Sequence, residues 1–153
     1  MGTGISNVTE PSTGTGTGSG TFGTRGLLLF AHGARDPRWA EPFQQVAARA
    51  QSHRPAWLVQ LAFLEFMAPT LREAGDKLAA AGCERVDIVP LFLGAGGHVR
   101  KDLPELIAHL RVAHPGVLWQ LQRAVGEQMS VIEAMADAAV FQLGDEPAPP
   151  SSK

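Results

Sequence analysis

Val86-Asp87-Ile88-Val89-Pro90-Leu91-Phe92-Leu93-Gly94-Ala95-Gly96-Gly97-His98-Val99-Arg100-Lys101-Asp102 is the stretch from which the fold can be read. An apolar run of buried-strand type passes into a glycine-bearing turn, then a histidine, basic residues and a helix start. The same order stands upstream in Leu27-Leu28-Leu29-Phe30-Ala31-His32-Gly33-Ala34-Arg35-Asp36-Pro37. The two histidines are 66 positions apart, 98 minus 32. In an open parallel sheet, ligands bind beyond the carboxyl ends of strands, where connections diverge to opposite faces. If the first and third strands are neighbours, His32 and His98 face one crevice.

Outward from these passages the chain alternates. Short apolar runs at 27–31, 57–63, 86–93 and 117–121 are bounded by Gly or Pro, as strands buried on both faces should be. Between them lie stripes of helical spacing: Trp39, Phe43, Val46, Ala47 and Ala50; Leu71, Ala74, Leu78 and Ala81; Leu103, Leu106, Ile107 and Leu110; Val131, Ile132, Met135 and Ala139. Asp36-Pro37 and Ala68-Pro69 are expected to open helices, and Gly82 and Gly144 to close them. Asp102 with Glu105 has the spacing of a capping box. The pattern is (βα)4 and predicts an α/β domain: a four-stranded parallel sheet with helices on both faces.

Residues 1–25 are a Gly/Thr/Ser-rich leader expected to be disordered, residues 26–144 the folded domain, and 145–153 a Pro-rich disordered tail. Eight of the 17 glycines fall in the first 26 residues, which marks that boundary. At 153 residues and a net charge of -2, the chain offers no bulk electrostatic case for nucleic acid or an anionic membrane. No apolar stretch approaches the ~20 residues of a membrane span. The single cysteine, Cys83, excludes an internal disulfide and reads as a small packing residue. A cytoplasmic setting is expected.

His32, Glu65 and His98 fall at the carboxyl ends of strands 1, 2 and 3. Two imidazoles and a carboxylate suit a borderline divalent metal such as cobalt, iron, nickel or zinc. An imidazole binds metal only when neutral, so such a site should lose affinity below about pH 6. The same groups could serve as bases. Arg35 and Arg38 follow the first turn, Arg100 and Lys101 the second. With two helix amino termini they would hold a ligand bearing several carboxylates or phosphates. Asp36 and Asp102 read as N-caps, and His53, His109 and His114 as helix carboxyl-end cations. The Gly94–Gly97 run lacks the lysine of a phosphate-binding loop; Gly96 and Gly97 read as letting backbone approach a flat ligand.

From Leu27 to about Leu143 the chain resembles the small CbiX-type sirohydrochlorin chelatases, which are class II tetrapyrrole chelatases. The likeness rests on His32-Gly33-Ala34-Arg35-Asp36-Pro37, on Ala62-Phe63-Leu64-Glu65 with Pro69, and on Val89 to Leu93 leading into Gly96 to Pro104. The resemblance implies insertion of cobalt or iron into sirohydrochlorin, a flat macrocycle rimmed with carboxylates, on the route to cobalamin or sirohaem. It implies no nucleotide or organic cofactor and a homodimer of short subunits. The family's metal-handling histidines map onto His32 and His98, and its acidic residue onto Glu65. Ala34 stands where the family turn commonly carries a serine. A non-catalytic carrier of metal or tetrapyrrole would use the same histidines. Phosphoryl transfer is the weaker alternative, since Ala31 stands where histidine phosphatases place an arginine.

Overall fold

The computed structural model describes residues 23–94 and 96–142, apart from the side chains of residues 98–100. The expectations for the leader up to residue 22, for Gly144 and for the tail lie outside the described residues. Four parallel strands, β1 (Arg25–Ala31), β2 (Leu58–Phe63), β3 (Arg85–Pro90) and β4 (Leu118–Leu121), form one sheet in the order β2-β1-β3-β4. Four helices follow them: α1 (Glu41–His53), α2 (Leu71–Ala80), α3 (Gly97–Ala113) and α4 (Met129–Phe141). Short 3-10 turns at Pro37–Ala40 and Val125–Glu127 precede α1 and α4. The expected α/β sheet is present, and β1 and β3 are neighbours.

Alternation along the strands divides the interior. Leu28 and Phe30 of β1, Val86 and Ile88 of β3 and Trp119 of β4 are buried against Leu71, Ala74 and Leu78 of α2 and Leu103, Ile107 and Leu110 of α3. Each full burial of a large apolar side chain contributes about 1.5–3 kcal/mol. The other face carries a smaller cluster, Ala31, Phe63 and Ala40, with Phe43 of α1 packed against it. That asymmetry overturns two expected core stripes. No residue of α1 or α4 is buried; Trp39 and Val46 are exposed, and so are Ile132 and Met135. A stripe is buried only where a second layer covers it, and α4 packs chiefly on the 3-10 turn before it. The edge strands β2 and β4 are likewise half open rather than buried on both faces.

The punctuation holds in part. Asp36 caps the first 3-10 turn by accepting the Arg38 N–H, and Pro37 opens it. Gly82 has a φ of 83°, and the paired bonds Gly82 N–H to Ala79 O and Cys83 N–H to Leu78 O end α2 with a left-handed residue, as glycine allows. Cys83 is buried in the main core, and burial pushes its thiol pKa up. Helix α2 is opened by Thr70 rather than by Pro69: Thr70 and Glu73 form the reciprocal capping box. Asp102 is not an N-cap, because α3 begins five residues earlier, with Gly96 at the cap. Strand β3 stops at Pro90, the final ladder pair being Phe30 with Pro90, while β1 continues to Ala31 against β2.

Arg25, assigned to the leader by composition, is the first residue of β1. At the amino end of the sheet it gives Asp87 a bidentate pair, 3.0 Å from Nε and 2.7 Å from Nη2. Arg85 and Gln122 donate to the other carboxylate oxygen at 3.2 and 2.7 Å. Burial works to raise the Asp87 pKa, and the hydrogen bonds from Arg25, Arg85 and Gln122 outweigh it, so the carboxyl is held below the usual range. A depressed folded pKa gives stability that is present above the unfolded pKa and is lost as pH falls through the folded value. Asp87→Asn should therefore cost about 1–3 kcal/mol at pH 7. It should also flatten the loss of stability below about pH 5. Urea unfolding of both proteins at pH 7 and across the acid range measures both effects.

Candidate metal and macrocycle site

At the carboxyl end of the sheet the loop after β2 is laid across the end of β1. Phe63 N–H donates to the Pro69 carbonyl at 2.9 Å, which closes the loop from Leu64 to Pro69. Leu64 N–H reaches the carbonyls of Ala31 and His32, at 2.9 and 3.1 Å, and Glu65 N–H reaches that of His32 at 3.0 Å. The crossing is so close that a Cβ on Gly33 would collide with the Glu65 carbonyl, and Gly33 also has a φ of 96°. Only glycine satisfies both conditions.

This backbone crossing brings the two side chains together: His32 Nε2 lies 2.9 Å from Glu65 Oε1. Both side chains remain about half exposed, 48% and 45%. With Nε2–H donating to the carboxylate, the ring is oriented and its other nitrogen is left as a lone-pair donor. Behind the imidazole stands an edge-to-face series into the core, with His32 on Phe92 at 6.5 Å and Phe92 on Phe30 at 5.8 Å between ring centroids.

Beside His32 a cleft of about 490 Å³ opens, lined by Trp39 and Phe43 and by Leu91, Phe92, Leu93, Gly94 and Gly96. Leu91 N–H still bonds to Phe30 O at 2.7 Å; beyond it the chain leaves the sheet, and Phe92 O accepts from Gly126 N–H at 2.9 Å. The residues predicted to end β3 thus line the cleft instead. Trp39, 38% exposed, stacks on Phe43 with centroids 4.6 Å apart. Its expected place on the α1 core stripe fails because Pro42 restarts the helix after the 3-10 turn, which sets Trp39 outside the α-helical register. The two prolines at 37 and 42 were the available signal for that break.

The remaining candidates divide. Gly96 lines the cleft with His32, and a Cβ on Gly94, Gly96 or Gly97 would meet nothing within 4 Å among the described residues. His98, Arg100 and Lys101 fall in the first turns of α3, at the carboxyl end of β3 and so beside the end of β1. Lys101 is exposed; the side chains of His98 and Arg100 lie outside the described residues. Among the described residues no three His, Cys, Asp or Glu side chains gather as a metal site. Arg38 is not free: it is bound to Asp36 at 2.8 Å, which raises its own pKa and holds the Asp36 carboxyl low. Arg35 lies over the ring of Phe66, 5.2 Å from the centroid.

Phe66 carries no signal in the sequence. Met67 N–H bonds back to Glu65 O at 2.8 Å, and the three-residue turn so formed holds Phe66 at a φ of 63°. Left-handed backbone of this kind costs a bulky residue about 1–3 kcal/mol. An exposed cation–π contact returns about 0.5–1 kcal/mol, and the ring, 59% exposed, adds little burial.

Residues 26–140 match the CbiX family. "Sirohydrochlorin cobaltochelatase" of Saccharolobus solfataricus is 38% identical over 82 residues, which are 54% of this chain and 62% of that protein. The protein of the same name from Sulfurisphaera tokodaii is 29% identical over 112 residues, 73% of this chain and 88% of its own length. The matched stretch thus spans less than two thirds of the first of these relatives. A solved CbiX protein from Marinobacter aquaeolei VT8, provisionally assigned to cobalamin (vitamin B12) biosynthesis, shares 32% identity and a TM-score of 0.69, covering 78% of this chain and 97% of its own. The sirohydrochlorin chelatase SirB of Bacillus subtilis subspecies spizizenii, solved with cobalt, has the same fold at 22% identity, with a TM-score of 0.70 over 77% of this chain and 50% of its own. From the profile match and the shared sheet, the chain belongs to the CbiX family.

Proposed function

We propose that this chain inserts a divalent metal, cobalt or iron, into sirohydrochlorin. The observation that carries the reading is the His32–Glu65 contact of 2.9 Å, half open to solvent at the edge of an apolar cleft. Insertion requires that two pyrrole N–H protons leave as the metal enters, so the site must offer metal donors and proton acceptors together. His32 and His98 hold the incoming ion; imidazole and carboxylate donors accept cobalt, iron and nickel alike. As the ion passes from the imidazoles to the macrocycle, His32 and His98 each take one of the two pyrrole protons, His32 on the nitrogen the ion has left, and its imidazolium is stabilised by Glu65, to which the Nε2 proton can pass. Arg35 and Lys101, with Arg100 and the amino terminus of α3, meet the peripheral carboxylates. Arg38 joins them only by exchanging Asp36 for the ligand. The open space at Gly96 and Gly97 admits the macrocycle against backbone. The reaction calls for no organic cofactor and no nucleic-acid partner. A buried lone thiol fits a reducing cytoplasm, and the described helices include none long and apolar enough to cross a membrane.

His32→Ala and His98→Ala should each lower the rate of metal insertion about 100-fold or more while leaving the far-UV circular dichroism intact. Glu65→Gln should cost about 10- to 100-fold. Anaerobic absorbance assays with sirohydrochlorin and Co2+ or Fe2+ measure this. Near-normal rates in the double histidine variant would refute the reading, and stoichiometric retention of the metal or product without turnover would identify a carrier.

We infer further that the working form is a homodimer. Helix α4 exposes Met129, Ile132, Met135, Val140 and Phe141, far more apolar surface than a solvated helix needs. Sedimentation equilibrium should return twice the chain mass, and Ile132→Glu with Met135→Glu should return the monomer.

A further inference from the structure

We propose that Phe66 is a substrate-contacting residue: its ring, with the Arg35 guanidinium stacked on it, takes the flat face of the tetrapyrrole at its rim while Arg35 binds a peripheral carboxylate. This rests on the proposed chelatase reading and adds to it a residue that the metal-donor set does not include.

Three observations converge on position 66. The backbone there is left-handed, with φ at 63°, a conformation glycine adopts freely and phenylalanine resists. The ring contributes little to packing, being 59% exposed on a loop whose other apolar members, Leu64 and Met67, are packed against the two cores. Arg35, itself exposed, lies over the ring, and an exposed contact of that kind returns less than the strain costs. Neither backbone nor core therefore accounts for phenylalanine. The position accounts for it: Phe66 directly follows Glu65, whose carboxylate touches His32, and the loop is pinned by four backbone bonds to Phe63, Leu64 and Glu65. An aromatic ring held rigidly there, with a cation over it, matches a ligand that is flat, π-rich and edged with carboxylates. Arg35 thus has a fixed seat on Phe66 from which to reach an anion.

The test uses the full chain and three variants, Phe66→Gly, Phe66→Leu and Arg35→Ala. Binding of metal-free sirohydrochlorin is followed by absorbance titration, with Tm, oligomeric state and steady-state insertion kinetics measured alongside. Phe66→Gly should raise the Kd and KM for the macrocycle about 3- to 10-fold. Its Tm should be equal or higher and its kcat nearly unchanged, since the strain is relieved and uniform binding is lost. Phe66→Leu should recover part of the affinity without the aromatic face. Arg35→Ala should weaken binding more steeply at low salt than at high salt. A Phe66→Gly protein that binds as the wild type does overturns the proposal while leaving the chelatase reading intact. So does a fall in kcat at unchanged Kd, which would make Phe66 a positioner of Glu65, or a loss of the dimer, which would assign the ring to a contact between copies. Wild-type protein that neither binds nor metallates the macrocycle overturns the chelatase reading, and this proposal with it.

Discussion

Strand β1 is hydrogen-bonded on both sides, to β2 over Gly26–Ala31 and to β3 over Arg25–Phe30. Because both edges are occupied by parallel partners, the chain must leave β1 toward one side, return across it, and resume on the other. The connections after β1 and β3 then depart to opposite faces of the sheet. That divergence opens the cleft beside His32 and brings the turns after three strands to a single edge. Nothing else in the fold would bring residues 32, 65 and 96 into one neighbourhood.

The second constraint is smaller in scale. Glu65 and His32 meet because the loop after β2 crosses the end of β1 at backbone contact, with Gly33 leaving room for the Glu65 carbonyl. Side-chain geometry here follows from main-chain hydrogen bonds, so among the described residues the pair is held without a dedicated network of polar side chains behind it. The imidazole is backed instead by aromatic edges running to the core through Phe92 and Phe30. Rigid apolar support of this kind positions a donor without competing for its lone pair.

The parallel sheet and the placing of His32 and Glu65 at strand ends were legible in the sequence, since both follow from apolar runs and from where they stop; the adjacency of β1 and β3 entered only as a condition, because a succession of strands does not fix their order. What escaped had tertiary causes. The Asp102–Glu105 spacing satisfied a local capping rule, yet α3 starts at Gly97, and those residues lie inside the helix. Val46 and Ile132 obeyed helical periodicity, but among the described residues no layer covers them. Periodicity reports which residues share a face, not whether anything covers it. Phe66 was invisible for another reason: a φ of 63° arises from a turn closed between Glu65 and Met67, and no composition rule marks phenylalanine for such a place.

The bond from Gly126 N–H to Phe92 O ties the cleft wall to a turn that follows the last strand. A Cβ at 126 would strike the backbone of Leu93, so the two segments are in contact along their main chains. During synthesis the central strand emerges first and waits for Leu58–Phe63 and then Arg85–Pro90 before both its edges are filled. The wall formed by Leu91–Leu93 is fastened only after residue 126 has left the ribosome. The last strand ends at Leu121, five residues before Gly126, so a nascent chain would complete its sheet and fasten its cleft wall almost together.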